Sequence, residues 1–148
     1  MPKILIVCKT NRSASPMAAA YLQAKTREAG LNEYEFCSAG LRVSRADSVS
    51  QGAREILAGM GLRPLQIGSQ LLSYKLVRNA DLVVCLTKEV LQSVASEYKF
   101  AAGKTILLQS MTGQTRDIFE PKGASVELNR QCFEMMKPDL DTMLRRFG

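Results

Sequence analysis

The sequence predicts an α/β fold: a single three-layer domain over residues 1–148, with a four-stranded parallel sheet and helices on both of its faces. Three observations lead there. Four short runs are apolar and rich in β-branched residues, as strands buried on both sides are. Stretches with helical spacing of apolar residues alternate with those runs. No repeat, low-complexity tract or linker interrupts the alternation. Strand-helix alternation of this length implies βαβ units, whose right-handed crossovers place the loops after each strand along one edge.

The elements follow in order. Lys3 to Val7 reads as the first buried strand. Ser15 is expected to cap the first helix, with Pro16 as its first residue. Its apolar positions recur from Met17 to Ala29, and Gly30 stops it. Tyr34 to Ser38 is the second strand, ended by Ala39-Gly40. Ser48 to Met60 is helical, with Ala53, Ile56, Leu57 and Met60 on one face. Leu71 to Asn79 is a short helix or turn, and Asp81 to Leu86 (DLVVCL) the third strand. Thr87 caps a helix reaching about Tyr98. Lys104 to Gln109 (KTILLQ) is the fourth strand, and a loop runs from Ser110 to Lys122. Ala124 to Phe147 is a last helix that Pro138 is expected to kink or divide.

Composition narrows the function classes. An apolar content of 46% with 23% charged residues is that of a globular protein with a real core. No run approaches the roughly 18 apolar residues of a membrane span. Met1 to Val7 is too short for a signal peptide, so a cytoplasmic protein without membrane association is expected. Cys8, Cys37, Cys85 and Cys132 are scattered, with no CxxC pair, and the chain has no histidine. That argues against zinc sites and against a disulfide framework. It also removes histidine as a general base, leaving thiols, carboxylates and cations to do any chemistry. Twenty basic against 14 acidic residues give a net charge of +6, which favours anionic partners. Nucleic acid is not expected, because no long basic run interleaves with the few aromatic residues.

The strand-end edge, where open parallel sheets bind ligands, gathers the reactive residues. The first loop carries Cys8, Lys9, Thr10, Asn11 and Arg12. The second carries Arg42 and Arg45, and the loop after the fourth strand carries Arg116, Asp117, Glu120 and Lys122. Basic side chains and the amides of a helix N-terminus make an anion site there. The same surroundings are expected to lower the pKa of the Cys8 thiol, although a cysteine at a strand end is often only a small buried hydrophobe.

Val7-Cys8, Asn11 and Ser15-Pro16-Met17-Ala18 resemble the phosphate-binding loop of the low-molecular-weight protein tyrosine phosphatases, V-C-x-x-N-x-x-R-S-P-M-A. Ser38-Ala39-Gly40, Asn79-Ala80-Asp81-Leu82 and Glu120-Pro121-Lys122-Gly123 stand where that family has SAG, ADL and D-P-x-G, so the resemblance covers nearly the whole chain. It implies a domain of that type over residues 1–148 and a cysteine mechanism without metal or cofactor. Cys8 would attack the phosphorus of a phosphomonoester. A loop arginine would hold the transition state, the D-P-x-G acid would protonate the leaving oxygen, and water would release the phosphate. Asn11 would brace the loop and Ser15 would hydrogen-bond the thiolate. The phosphate-binding loop would be Cys8, Lys9, Thr10, Asn11, Arg12, Ser13, Ala14 and Ser15.

The sequence departs from that pattern at the reacting groups. Ala14 stands at the arginine position, Glu120 at the acid position and Ser13 at the second loop cysteine. Leu41, Arg42 and Val43 replace the aromatic wall. Aligning Arg12 with the family arginine requires a gap, whereas the ungapped register keeps Asn11 and Ser15-Pro16-Met17-Ala18 together. Loss of one positioned donor costs about 10²–10³-fold in rate. Loss of a clamping guanidinium costs about 10³–10⁵-fold by analogy with arginine fingers. The leading expectation is a divergent member that binds phosphate-like anions or a phosphorylated protein, with weak or no turnover. The second is an active phosphomonoesterase with Cys8, Arg12 and Glu120 as its catalytic residues. An arsenate reductase on the same scaffold needs two further thiols; Cys85 lies on a strand, but no second cysteine follows it nearby.

Overall fold

The computed structural model describes residues 2–121 and 123–147. Strand β1 (Lys3–Cys8) is followed by α1 (Ala14–Glu28), β2 (Glu35–Gly40), α2 (Gln51–Gly59) and α3 (Tyr74–Asn79). Then come β3 (Leu82–Cys85), α4 (Lys88–Glu97), β4 (Thr105–Leu107) and α5 (Val126–Phe147). The four strands form one parallel sheet in the order β2-β1-β3-β4. β1 is therefore central, and its C-terminal residue opens onto the loop edge.

Alternation along β1 divides the core into two layers. Ile4, Ile6 and Cys8 face one side and pack with α1, α2 and α5. Leu5 and Val7 face the other and pack with α3 and α4. Successive strand side chains point to opposite faces, so a strand apolar at every position is buried on both. α1 is buried from Ala14 to Gln23, and its small alanines let it lie close to the sheet and α5.

Several boundaries differ from the sequence expectation. α1 starts at Ala14 with Ser13, not Ser15, at its N-cap, and Pro16 is its third residue. Ser15 is drawn inside because its hydroxyl has a partner in the preceding loop. α2 begins at Gln51, capped by the Ser50 hydroxyl, because Ser48 pairs with Gly68 instead. Met60 ends that helix 38% exposed and is not part of its buried face. α3 begins at Tyr74 under a Ser73 cap, while Leu71 bridges to Gly40. Thr87 caps α4 as expected, its hydroxyl accepting the Val90 amide at 3.1 Å. β4 is only three residues long, and Leu108 to Thr112 form a 3₁₀ turn. α5 is not divided at Pro138 but runs as one helix of 22 residues. Met136, Asp139 and Leu140, all buried, hold both sides of the proline against the core.

Candidate active site

The site is built on the turn from β1 into α1. Asn11 sits at φ 54°, the left-handed region that asparagine tolerates better than most residues. That turn lets the loop double back, so that the Asn11 amide donates to Cys8 Sγ at 3.2 Å. The Asn11 side chain is fully buried and used at three points. Its Nδ2 donates to Ser15 Oγ at 2.8 Å and to Ser38 Oγ at 2.9 Å. Its Oδ1 accepts the Gln70 amide at 2.7 Å. Because Ser15 Oγ accepts from Asn11, its proton is free to point at Cys8 Sγ, 2.9 Å away.

The end of β2 presses directly on this loop. A Cβ on Gly40 would lie 2.8 Å from both the Asn11 nitrogen and the Thr10 carbonyl carbon. Those are backbone atoms that cannot move aside, which gives the Ser38-Ala39-Gly40 triplet a physical reason. Ser69 adds a bond from its hydroxyl to the Asn11 carbonyl at 2.8 Å. Ser69 and Gln70 brace the loop without any sequence signal, since they lie in a segment without periodicity. Ser38 and Gly40 were legible only as a motif.

Glu120 reaches the loop from the segment between β4 and α5. Its Oε1 accepts the Lys9 amide and its Oε2 the Thr10 hydroxyl, each at 3.2 Å. Ile118 anchors the approach through its amide to the Leu86 carbonyl at 3.1 Å. Asp117 turns away to accept the Lys88 amide at the start of α4. Lys122 lies outside the described residues.

The remaining basic residues are arranged differently. Arg12 is exposed; its Nε donates to the Ser48 carbonyl at 3.2 Å, and its Nη2 lies 3.7 Å from where a Gly123 Cβ would be. Arg42 meets the loop through its backbone, its amide donating to the Lys9 carbonyl at 2.9 Å. The side chains of Arg42, Arg45 and Arg116 are exposed. Ser13 and Ala14 are both buried, and the Ser13 hydroxyl pairs with Ser50 at 2.6 Å.

The thiol itself corrects the sequence expectation. Burial pushes the Cys8 thiol well above its ordinary range, and the Glu120 carboxylate pushes it further, while the Ser15 hydroxyl opposes both. The loop donors are present, but they act on a sulfur removed from water beside a negative charge. In this arrangement burial and the Glu120 carboxylate both favour the protonated thiol.

Among the described residues, no group of three or more Cys, Asp or Glu is placed to hold a metal ion, and no helix is long and apolar enough to cross a membrane. The family model described as low molecular weight phosphotyrosine protein phosphatase matches residues 3–147. A protein-arginine-phosphatase of Bacillus subtilis is 29% identical over 146 residues, covering 98% of this chain and 93% of the relative. A protein-arginine-phosphatase of Geobacillus stearothermophilus is 30% identical over 147 residues, covering 99% and 93%. The crystal structure of a low molecular weight protein tyrosine phosphatase from T. tengcongensis superposes with a TM-score of 0.90 at 25% identity, covering 99% of both chains.

Proposed function

Because the chain belongs to the low molecular weight phosphotyrosine protein phosphatase family, whose chemistry is cysteine-dependent, we propose that it is a divergent, single-domain member (1–148) that binds a phosphate-like anion or a phosphorylated protein in the cytoplasm and turns over weakly or not at all. One observation carries this reading. Between Cys8 and Ser15 the only guanidinium is that of Arg12, and its Nε is committed to the Ser48 carbonyl, while in the ungapped register the family arginine position falls on the buried methyl of Ala14. The loop backbone keeps its anion-binding turn, but the transition state lacks its clamp.

The position of Glu120 favours a second reading, an active phosphomonoesterase acting on phosphotyrosine or another phosphorylated side chain. Its carboxyl reaches the Lys9 amide, close enough to serve as an acid for a leaving oxygen held in the loop. In that case Arg12 would leave Ser48 and take over the clamp.

A steady-state assay with an aryl phosphate separates the two. Under the first reading the native chain and Cys8→Ser are both near background, and Ala14→Arg raises turnover at least ~10²-fold. Arg12→Ala then weakens phosphate binding only modestly. Robust native turnover that disappears in Arg12→Ala would overturn the first reading and establish Arg12 as the clamp.

A further inference from the structure

The carboxylate of Glu120 does not hover above an open cradle. Both of its oxygens are hydrogen-bonded to loop donors, Oε1 to the Lys9 amide and Oε2 to the Thr10 hydroxyl. Among the described residues no lysine or arginine lies within ion-pair distance of it. The cradle donors are therefore its partners, and a half-buried carboxylate with two of them is a satisfied group.

The backbone on either side of Glu120 is pinned. Ile118 is buried and bonded to Leu86, Cys132 Sγ donates to the Phe119 carbonyl at 3.4 Å, and the Gly52 amide donates to the Gly123 carbonyl at 3.1 Å. Pro121 is buried as well. Opening the cradle therefore calls for rotation of one side chain, not movement of the segment. Side-chain length matters for the same reason. On this backbone an aspartate would stop short by one C–C bond, about 1.5 Å, too far to hydrogen-bond the Lys9 amide.

We propose that Glu120 is an intramolecular anion that occupies the Lys9–Thr10 end of the phosphate cradle, so that a phosphoryl group binds only by displacing it. This rests on the reading that the Cys8 loop binds phosphate. It assigns the glutamate a role as a latch on the site, separate from any role in proton transfer. The acid reading and the latch reading make opposite demands on variants. Removing an acid lowers turnover and leaves ground-state affinity alone, whereas removing a latch raises affinity.

The test is calorimetric titration of inorganic phosphate into the full chain at neutral pH, with the native protein, Glu120→Gln and Glu120→Asp. The latch predicts phosphate binding at least ~10-fold tighter in Glu120→Gln, because a like charge at contact distance is removed and the neutral amide, with a single acceptor oxygen, competes only weakly for the two donors. It predicts a gain of ~3-fold in Glu120→Asp, which keeps the charge and loses only the reach. Equal or weaker binding in Glu120→Gln overturns the latch while leaving the anion-binding reading in place. Absence of phosphate binding in all three chains overturns both. If Glu120→Gln does not fold, Glu120→Asp decides, with tighter binding in support and unchanged binding against.

Discussion

Asn11 shows how much of the site depends on one residue. It supplies the left-handed turn, the amide that faces the thiol and three side-chain hydrogen bonds, all at full burial. Removing the side chain leaves the Ser38 hydroxyl and the Gln70 amide without their partner, and a buried unsatisfied group costs about 1–3 kcal/mol. Asn11→Ala is therefore expected to lower the unfolding free energy by ~3 kcal/mol and to abolish phosphate binding. Asn11→Gly keeps the backbone conformation and loses only the bonds. It should be about 1–2 kcal/mol less damaging than alanine, the cost of holding a Cβ in the left-handed region. Urea denaturation of the two variants separates the terms. If alanine proved no worse than glycine, the left-handed backbone would contribute nothing measurable.

Among the elements, α5 departs most from local expectation. Pro138 has no amide to give the Glu134 carbonyl, and proline in a helix interior is about 3 kcal/mol worse than alanine. The helix continues because its neighbours are held from outside. Asp139, 4% exposed, accepts the Thr112 hydroxyl at 2.6 Å, and Met136 and Leu140 are buried in the core. The proline ring itself is exposed, so alanine there meets no packing penalty. Pro138→Ala is expected to raise the unfolding free energy by ~1–3 kcal/mol. An unchanged or lower denaturation midpoint would mean that the helix has already adapted to the missing bond at no cost.

At the scale of the whole molecule, the four free cysteines contribute to the response to alkali, beside Tyr21 and Tyr98, whose phenols burial also pushes up. Burial pushes the Cys85 thiol up to about 12. Burial, with a contribution from the Glu120 charge, pushes Cys132 to about 12 as well. Burial raises Cys37 too, and Cys8 as described. In the unfolded chain these thiols ionise near 9.0. Below that pH both states are protonated and the thiols make no difference. Above it the unfolded chain releases protons that the folded chain retains, so stability falls as pH rises. The urea midpoint should decline from pH 9 towards 12, each thiol contributing up to about 1.4 kcal/mol per pH unit. Replacing Cys85 and Cys132 by alanine should flatten the decline. An equally steep slope in that double variant would shift the cause to other groups.

Local pattern in the chain was enough to determine the parallel sheet, the order of its strands and helices along the chain, and the placing of Cys8 where β1 meets α1. Burial on both faces of a strand and on one side of a helix leaves a period that can be read residue by residue, as in Ile4 to Val7 or Ala53 and Leu57. The cap at Thr87 is local as well, its hydroxyl reaching an amide three residues on. Only the tertiary structure decided what each polar group does. Asn11 finds Ser38 27 residues away and Gln70 59 residues away, and Lys9 meets Glu120 across 111. Such partners leave no period in the sequence. The continuity of α5 through Pro138 and the commitment of Arg12 to Ser48 are likewise set by packing between distant segments. The protonation of Cys8 follows the same rule. Proximity to a helix N-terminus predicts a lowered thiol, but complete burial and a carboxylate brought from the far end of the chain outweigh it.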